Sequence, residues 1–155
     1  MASEGESILI AYDGSAYAQE AIKQAGRHLR PGPAVVLTVQ RSVESLALQA
    51  TWAMGTPLGG LDESLAEEAH RVASEGERLA REAGFDATAL VESASGPVWA
   101  TVVAVAADRQ VSLILLGSHG RSGLDYMAKG SVATAVSQHA TQTVMIAHAD
   151  APTSE

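Results

Sequence analysis

Val111-Ser112-Leu113-Ile114-Leu115-Leu116-Gly117-Ser118-His119-Gly120, followed after nine residues by Gly130-Ser131, is the stretch that decides how this chain folds. The apolar run from Val111 to Leu116 reads as a buried strand, and Val132 to Ala140 reads as an amphipathic helix. A strand that empties into a glycine-rich loop and then a helix suits anion binding. Glycines let backbone approach the anion, and the first N–H groups of a helix are unpaired and carry partial positive charge. The expected ligand is the phosphate tail of a nucleotide. The alternative is an ordinary strand-to-helix loop with glycines at its turns.

Working outward, the same alternation recurs. Ser7 to Tyr12 is a buried strand that ends at Asp13-Gly14-Ser15, a turn and a helix cap. Ala18, Ala21, Ile22, Ala25 and Leu29 share one helical face, and Arg30-Pro31-Gly32-Pro33 stops that helix. Ala34 to Val39 is a second buried strand. Arg41 to Gly60 has no clean period and reads as a long loop, with a short helix, a flap or a contact surface as alternatives. From Leu61 to Ala83 helical spacing returns, with Gly84 as its cap. Ala87 to Val91 is a weak third strand, and Ser95-Gly96-Pro97 opens a helix, with Pro97 in its first turn. Thr143 to Ala147 is the fifth strand.

Strands that are apolar throughout are expected where both faces of a sheet are covered. The pattern predicts one α/β domain over residues 1–149 and a disordered tail over 150–155. The sheet is parallel, doubly wound and Rossmann-like, with five strands in the order 3-2-1-4-5 and helices on both faces.

Composition narrows the function. Net charge is -8, which argues against a generic nucleic-acid binder and an anionic-membrane binder, though not against a small nucleotide. There are no cysteines, so disulfides, thiolate catalysis and cysteine metal sites are excluded. With no apolar run near the roughly 20 residues that span a bilayer, the expectation is a soluble cytoplasmic protein.

In doubly wound sheets, ligands bind beyond the carboxyl ends of the strands where the winding reverses. With the order 3-2-1-4-5 that point lies between the first and fourth strands. Asp13-Gly14-Ser15 and Gly117-Ser118-His119-Gly120 then face each other. Asp13 suits a ribose hydroxyl or an adenine amine, or caps the first helix. Val39 packs an adenine face or belongs to the core. Ser131 caps the last helix and reaches a phosphate oxygen, or only caps it. Arg121 and Lys129 screen phosphate charge or are solvated, and His119 contacts phosphate or ribose or is simply exposed. The P-loop and dinucleotide fingerprints are absent, as are Ser–His–Asp and HExxH patterns, so no catalytic residue and no protein metal site is expected. Mg²⁺ would arrive with the phosphates.

These residues resemble the universal stress protein family. Ile8 to Ser15 is similar to the start of that domain. Gly117, Gly120, Gly130 and Ser131 match its ATP-binding signature, Gly-x2-Gly-x9-Gly-Ser/Thr, and Thr143 to Ala147 is similar to its last strand. The resemblance covers about residues 6–148. It implies an open five-stranded α/β fold, with ATP held by Asp13 and Val39 on the adenosine side. On the phosphate side it implies Gly117, Gly120, Gly130, Ser131 and Val132. It further implies a homodimer through the last strand and a regulatory or stress-response role with little turnover. Thr143 stands where the family usually has proline, and Arg41 to Gly60 matches no family pattern. Two other functions stay open: a slow ATPase or phosphotransferase, and a dimeric interaction scaffold with a non-ATP crevice.

Overall fold

The computed structural model describes residues 6–41, 61–94, 96–119 and 131–148, with only the backbone of Leu61, Asp62 and Ser131. The expected 42–60 loop and the 150–155 tail lie outside the described residues. The elements run β1 (Ile8–Ala11), α1 (Ala16–His28), β2 (Pro33–Arg41), α2 (Leu61–Glu82), β3 (Asp86–Ala94), α3 (Val98–Asp108), β4 (Leu113–Gly117), α4 (Ser131–His139) and β5 (Thr143–Ala147). The strands form one parallel sheet in the order β3-β2-β1-β4-β5, as expected.

β1 sits at the centre. Ile8 aligns with Ala34 on one side and Leu113 on the other, and Ile10 with Val36 and Leu115. Because side chains alternate along a strand, each strand feeds two cores. Ile8, Ile10, Val36 and Leu115 pack with Ala18, Ala21 and Ile22 of α1 and Val72 and Ala80 of α2. Leu9, Leu37, Ile114 and Leu116 face the other way, onto Val102 and Ala106 of α3 and Ala133 and Val136 of α4. Helices therefore cover both faces.

Several boundaries move for physical reasons. β2 runs on to Arg41 and β3 from Asp86 to Ala94, because they share a nine-residue ladder from Pro33–Asp86 to Arg41–Ala94. Backbone pairing continues past the apolar residues that announce the strands. β1 stops at Ala11, and β4 begins at Leu113 rather than Val111 and takes in Gly117. Pro97 is the N-cap of α3, one position before the helix. On α4 the buried residues are Ala133 and Val136; His139 is exposed and stacks on Trp99 with ring centroids 4.4 Å apart.

Gly84 ends α2 as expected, with φ +106°. Phe85 N–H donates to Ala80 O and Gly84 N–H to Arg81 O, both at 3.0 Å, the paired bonds of a Schellman cap. Side chains of α2 also bond two backbone groups of β3, an edge strand. Ala89 N–H donates to Glu77 at 2.7 Å, and Arg81 Nε donates to Ala87 O at 3.1 Å. An edge strand with its backbone groups satisfied is a poor template for another chain.

Tyr12 joins the sheet to α2. Its ring is 2% exposed, its hydroxyl donates to Glu75, and it lies over Gly76. A Cβ at position 76 would lie 2.6 Å from the Tyr12 ring and 2.8 Å from Val36 Cγ1. Gly76→Ala therefore sets two effects against each other. Helix propensity favours alanine by about 1 kcal/mol, while overpacking a full core costs about 1–3 kcal/mol. The clash involves ring carbons near the backbone, so net destabilisation is expected, read as a lower urea midpoint.

Burial, then the bond to Glu75, pushes the Tyr12 phenol up from its ordinary value of 10.0. A raised folded value keeps the neutral form in the native state. The associated stability is intact below about pH 10 and is lost as pH rises through the folded value. Melting temperatures between about pH 9 and about pH 11 should fall more steeply for wild type than for Tyr12→Phe. Parallel curves would refute this.

Candidate functional site

The β1 chain leaves the sheet at Tyr12. Tyr12 N–H donates to Leu37 O, and Tyr12 O accepts from Thr38 Oγ1, both at 2.9 Å. The backbone then turns at Asp13-Gly14-Ser15. Asp13 Oδ1 accepts from Ser15 N at 3.0 Å, and Gly14 has φ +81°, a left-handed geometry that glycine adopts without strain. Ser15 caps α1, its Oγ accepting from Ala18 N at 3.1 Å. Asp13 thus shapes the turn and Ser15 caps the helix, while both remain half-exposed at the carboxyl end of β1.

β4 ends alongside. A Cβ at Gly117 would lie 2.9 Å from the Tyr17 carbonyl carbon and 3.0 Å from its oxygen. Only a residue without a side chain lets the first turn of α1 come this close. Beyond it, Ser118 N donates to Ala147 O of β5 at 2.9 Å, which ties the strand end to its neighbour. Ser118 is 8% exposed, and its Oγ lies 3.0 Å from His119 Nδ1. The His119 ring packs at 4.9 Å, tilted 44°, on the ring of Tyr17.

The structure therefore brings Asp13, Gly14, Ser15, Gly117, Ser118 and His119 together through Tyr17. Val39 and Val132 lie on the α3–α4 face, half-buried against its core beside Ala11 and Val98. Ser131 opens α4, and its side chain lies outside the described residues. Gly120, Arg121, Lys129 and Gly130 also lie outside them. A cavity of about 180 Å³ opens between the ends of β2 and β3, lined by Arg41, Ala94, Gly96, Pro97 and Val98. Among the described residues, no group of three or more His, Asp or Glu side chains could hold a metal ion. None of the described helices is long and apolar enough to cross a membrane.

Sequence reasoning passed over Tyr17, Tyr12 and Thr38, which position the site without facing it. One signal was present: Gly76 interrupts an otherwise strong helix former, which points to a close approach. Nothing in the sequence pointed to Thr38 or Tyr17.

Comparison with known proteins fits this fold. The family model described as the universal stress protein family matches residues 5–148. Among solved structures, the chain is similar to hypothetical protein MJ0577, at 23% identity and a TM-score of 0.74 over 96% of this chain and 99% of that one. It is also similar to the universal stress protein from Archaeoglobus fulgidus in complex with dAMP, at 18% identity and a TM-score of 0.66 over 92% and 98%. A universal stress protein in complex with cAMP matches at 19% identity and a TM-score of 0.60 over 94% and 98%. No match was found among curated protein sequences. The matched span takes in every strand and helix described above, and on that ground the chain belongs to the universal stress protein family.

Proposed function

We propose that this protein binds an adenine nucleotide, ATP foremost, in the crevice between the carboxyl ends of β1 and β4. It would act there as a cytoplasmic stress-response regulator with little or no turnover. The observation that carries this reading is the seating of the α1 first turn on Gly117. That contact places the Asp13-Gly14-Ser15 turn beside Gly117-Ser118-His119 at the point where the sheet's winding reverses. The dAMP and cAMP held by two similarly folded proteins support an adenine nucleotide as the ligand class.

In this reading Asp13 receives the ribose, since a carboxylate can accept several hydrogen bonds besides the one from Ser15 N. Val39 offers an apolar wall to adenine. Gly117, Gly120, Gly130, Ser131 and Val132 supply the backbone cradle for phosphate, with Arg121 or Lys129 and any Mg²⁺ that enters with the nucleotide screening charge. Turnover needs a positioned base to activate water, and among the described residues the carboxylate at the crevice, Asp13, is already engaged in its turn.

The assembly proposed is a homodimer through β5. The support is an asymmetry between the two sheet edges. Glu77 and Arg81 bond two backbone groups of β3, whereas among the described residues the side-chain bond near β5 falls one residue past it, from Gln24 Nε2 to His148 O. Val144, Met145 and Ile146 on β5 are half-buried.

Mass spectrometry of small molecules released from freshly purified protein should recover an adenine nucleotide. The emptied protein should bind ATP saturably, and Gly130→Ala should weaken that binding by about tenfold or more. No ligand and no binding at millimolar ATP would overturn the proposal. Phosphate release faster than roughly 1 s⁻¹ would replace the regulator with an enzyme. In sedimentation experiments the wild type should run as a dimer, and Val144→Lys with Ile146→Lys should shift it to monomer. A monomeric wild type would remove the β5 interface.

A further inference from the structure

Ser118 and His119 are consecutive residues at the end of β4, yet their side chains are joined. Ser118 Oγ lies 3.0 Å from His119 Nδ1, and among the described residues this is the partner that the hydroxyl has. Either group could donate. Burial decides between them. Ser118 is 8% exposed, and its backbone N–H is already committed to Ala147 O. If Nδ1–H donated to Oγ, the hydroxyl proton would be left without an acceptor among the described residues, an arrangement that folded proteins avoid. If the hydroxyl donates to Nδ1, both groups are satisfied. The neutral imidazole then carries its one proton on Nε2. The half-exposed Tyr17 ring, packed on the imidazole from the first turn of α1, limits the ring's rotation about its own axis.

We infer that Ser118 and Tyr17 are positioning residues that lock His119 as an Nε2–H donor aimed at a phosphate oxygen of the bound nucleotide. The inference rests on the nucleotide reading above and goes beyond it in fixing the tautomer and the residues that impose it. The chemistry is specific. With the proton on Nδ1 instead, Nε2 would present a lone pair to an anion and repel it. Ser118 therefore converts an amphoteric ring into a dedicated donor. A neutral donor of this kind adds a directed hydrogen bond to the charge screening proposed for Arg121 or Lys129.

The tautomer is measurable in the full-length, ligand-free protein from long-range imidazole 1H–15N correlations on the neutral ring. The His119 signal among the five histidines is identified by its loss in His119→Gln. Wild type should show Nε2–H alone, and Ser118→Ala and Tyr17→Leu should show a tautomer mixture or a broadened ring signal. In ATP titrations Ser118→Ala should weaken affinity by about threefold to tenfold, the span of one hydrogen bond. It should add nothing in a His119→Gln background, and adenosine affinity should not change. Melting curves run in parallel establish that each variant is folded. An Nδ1–H wild type would overturn the lock. So would a Ser118→Ala effect that persists without His119. Equal loss with adenosine would overturn the phosphate assignment. If wild-type protein binds no nucleotide, the nucleotide reading fails by itself and takes the phosphate assignment with it, and the ligand-free tautomer still upholds or overturns the lock.

Discussion

Tyr12 is the constraint on which the rest of the site depends. It is the first residue after the central strand, and each of its polar groups is committed. The N–H goes to Leu37 O, the carbonyl receives Thr38 Oγ1, and the hydroxyl donates to Glu75 on α2. The ring fills the space that Gly76 leaves open. A residue held on four sides also sets the course of the adjoining turn, Asp13-Gly14-Ser15. The turn leaves β1 in one direction because Tyr12 allows no other. α1, capped at Ser15, then starts where its second residue, Tyr17, can reach Gly117. The β1 side of the crevice is thus a consequence of core packing. Its β1 wall is preorganised, which lowers the ordering cost of binding.

Stability comes from the two cores and only marginally from surface charge. β1 has a strand on each edge and helices on each face, so Leu9 and Ile10, next to each other in sequence, are both at 0% exposure in opposite cores. Ion pairs along α2, such as Arg78–Glu82 at 2.6 Å, join side chains that are each 60% exposed, where water and salt screen the attraction. The Glu77 and Arg81 contacts to β3 matter for a different reason. They satisfy backbone groups that would otherwise invite another strand.

The fold was legible because burial on both faces writes itself into composition. Strands such as Ile8 to Ala11 and Leu113 to Leu116 must be apolar throughout, and the helices between them must be amphipathic. Alternation and crossover handedness led to a parallel, doubly wound sheet, and the order 3-2-1-4-5 was assumed within that class rather than derived. Strand lengths were less legible. Gln40, Arg41, Glu92 and Ser93 are polar, yet they pair through backbone groups that carry no sequence signature. Of the site, Asp13 and the Gly117 end could be read because glycine and capping residues have few other reasons to occur there. Tyr17 could not be. Its role lies in meeting Gly117 and His119, 100 and 102 positions away, and no local pattern encodes such a meeting.

An anion site proposed for an acidic chain poses an apparent contradiction, which the placement of charge resolves. Three carboxylates of α2 stand in pairs with arginines one helical turn away: Glu68 with Arg71, Glu77 with Arg81, and Glu82 with Arg78. Glu75 comes nearest to the β1 turn, and it receives Tyr12 Oη and, at 3.3 Å, Gln19 Nε2, with Arg71 at 4.0 Å. Each pair looks nearly neutral from beyond about 8–10 Å, where physiological salt screens what field remains. In the proposed site, what a phosphate would meet at close range is the local inventory: glycine backbone, the Ser118–His119 pair, and the start of α4 at Ser131. Net charge describes the molecule's behaviour toward polyanions many residues wide, whose charges sample the whole surface. A nucleotide would sample one crevice, where packing sets the direction of the described donors and Arg121 or Lys129 is proposed to screen the charge.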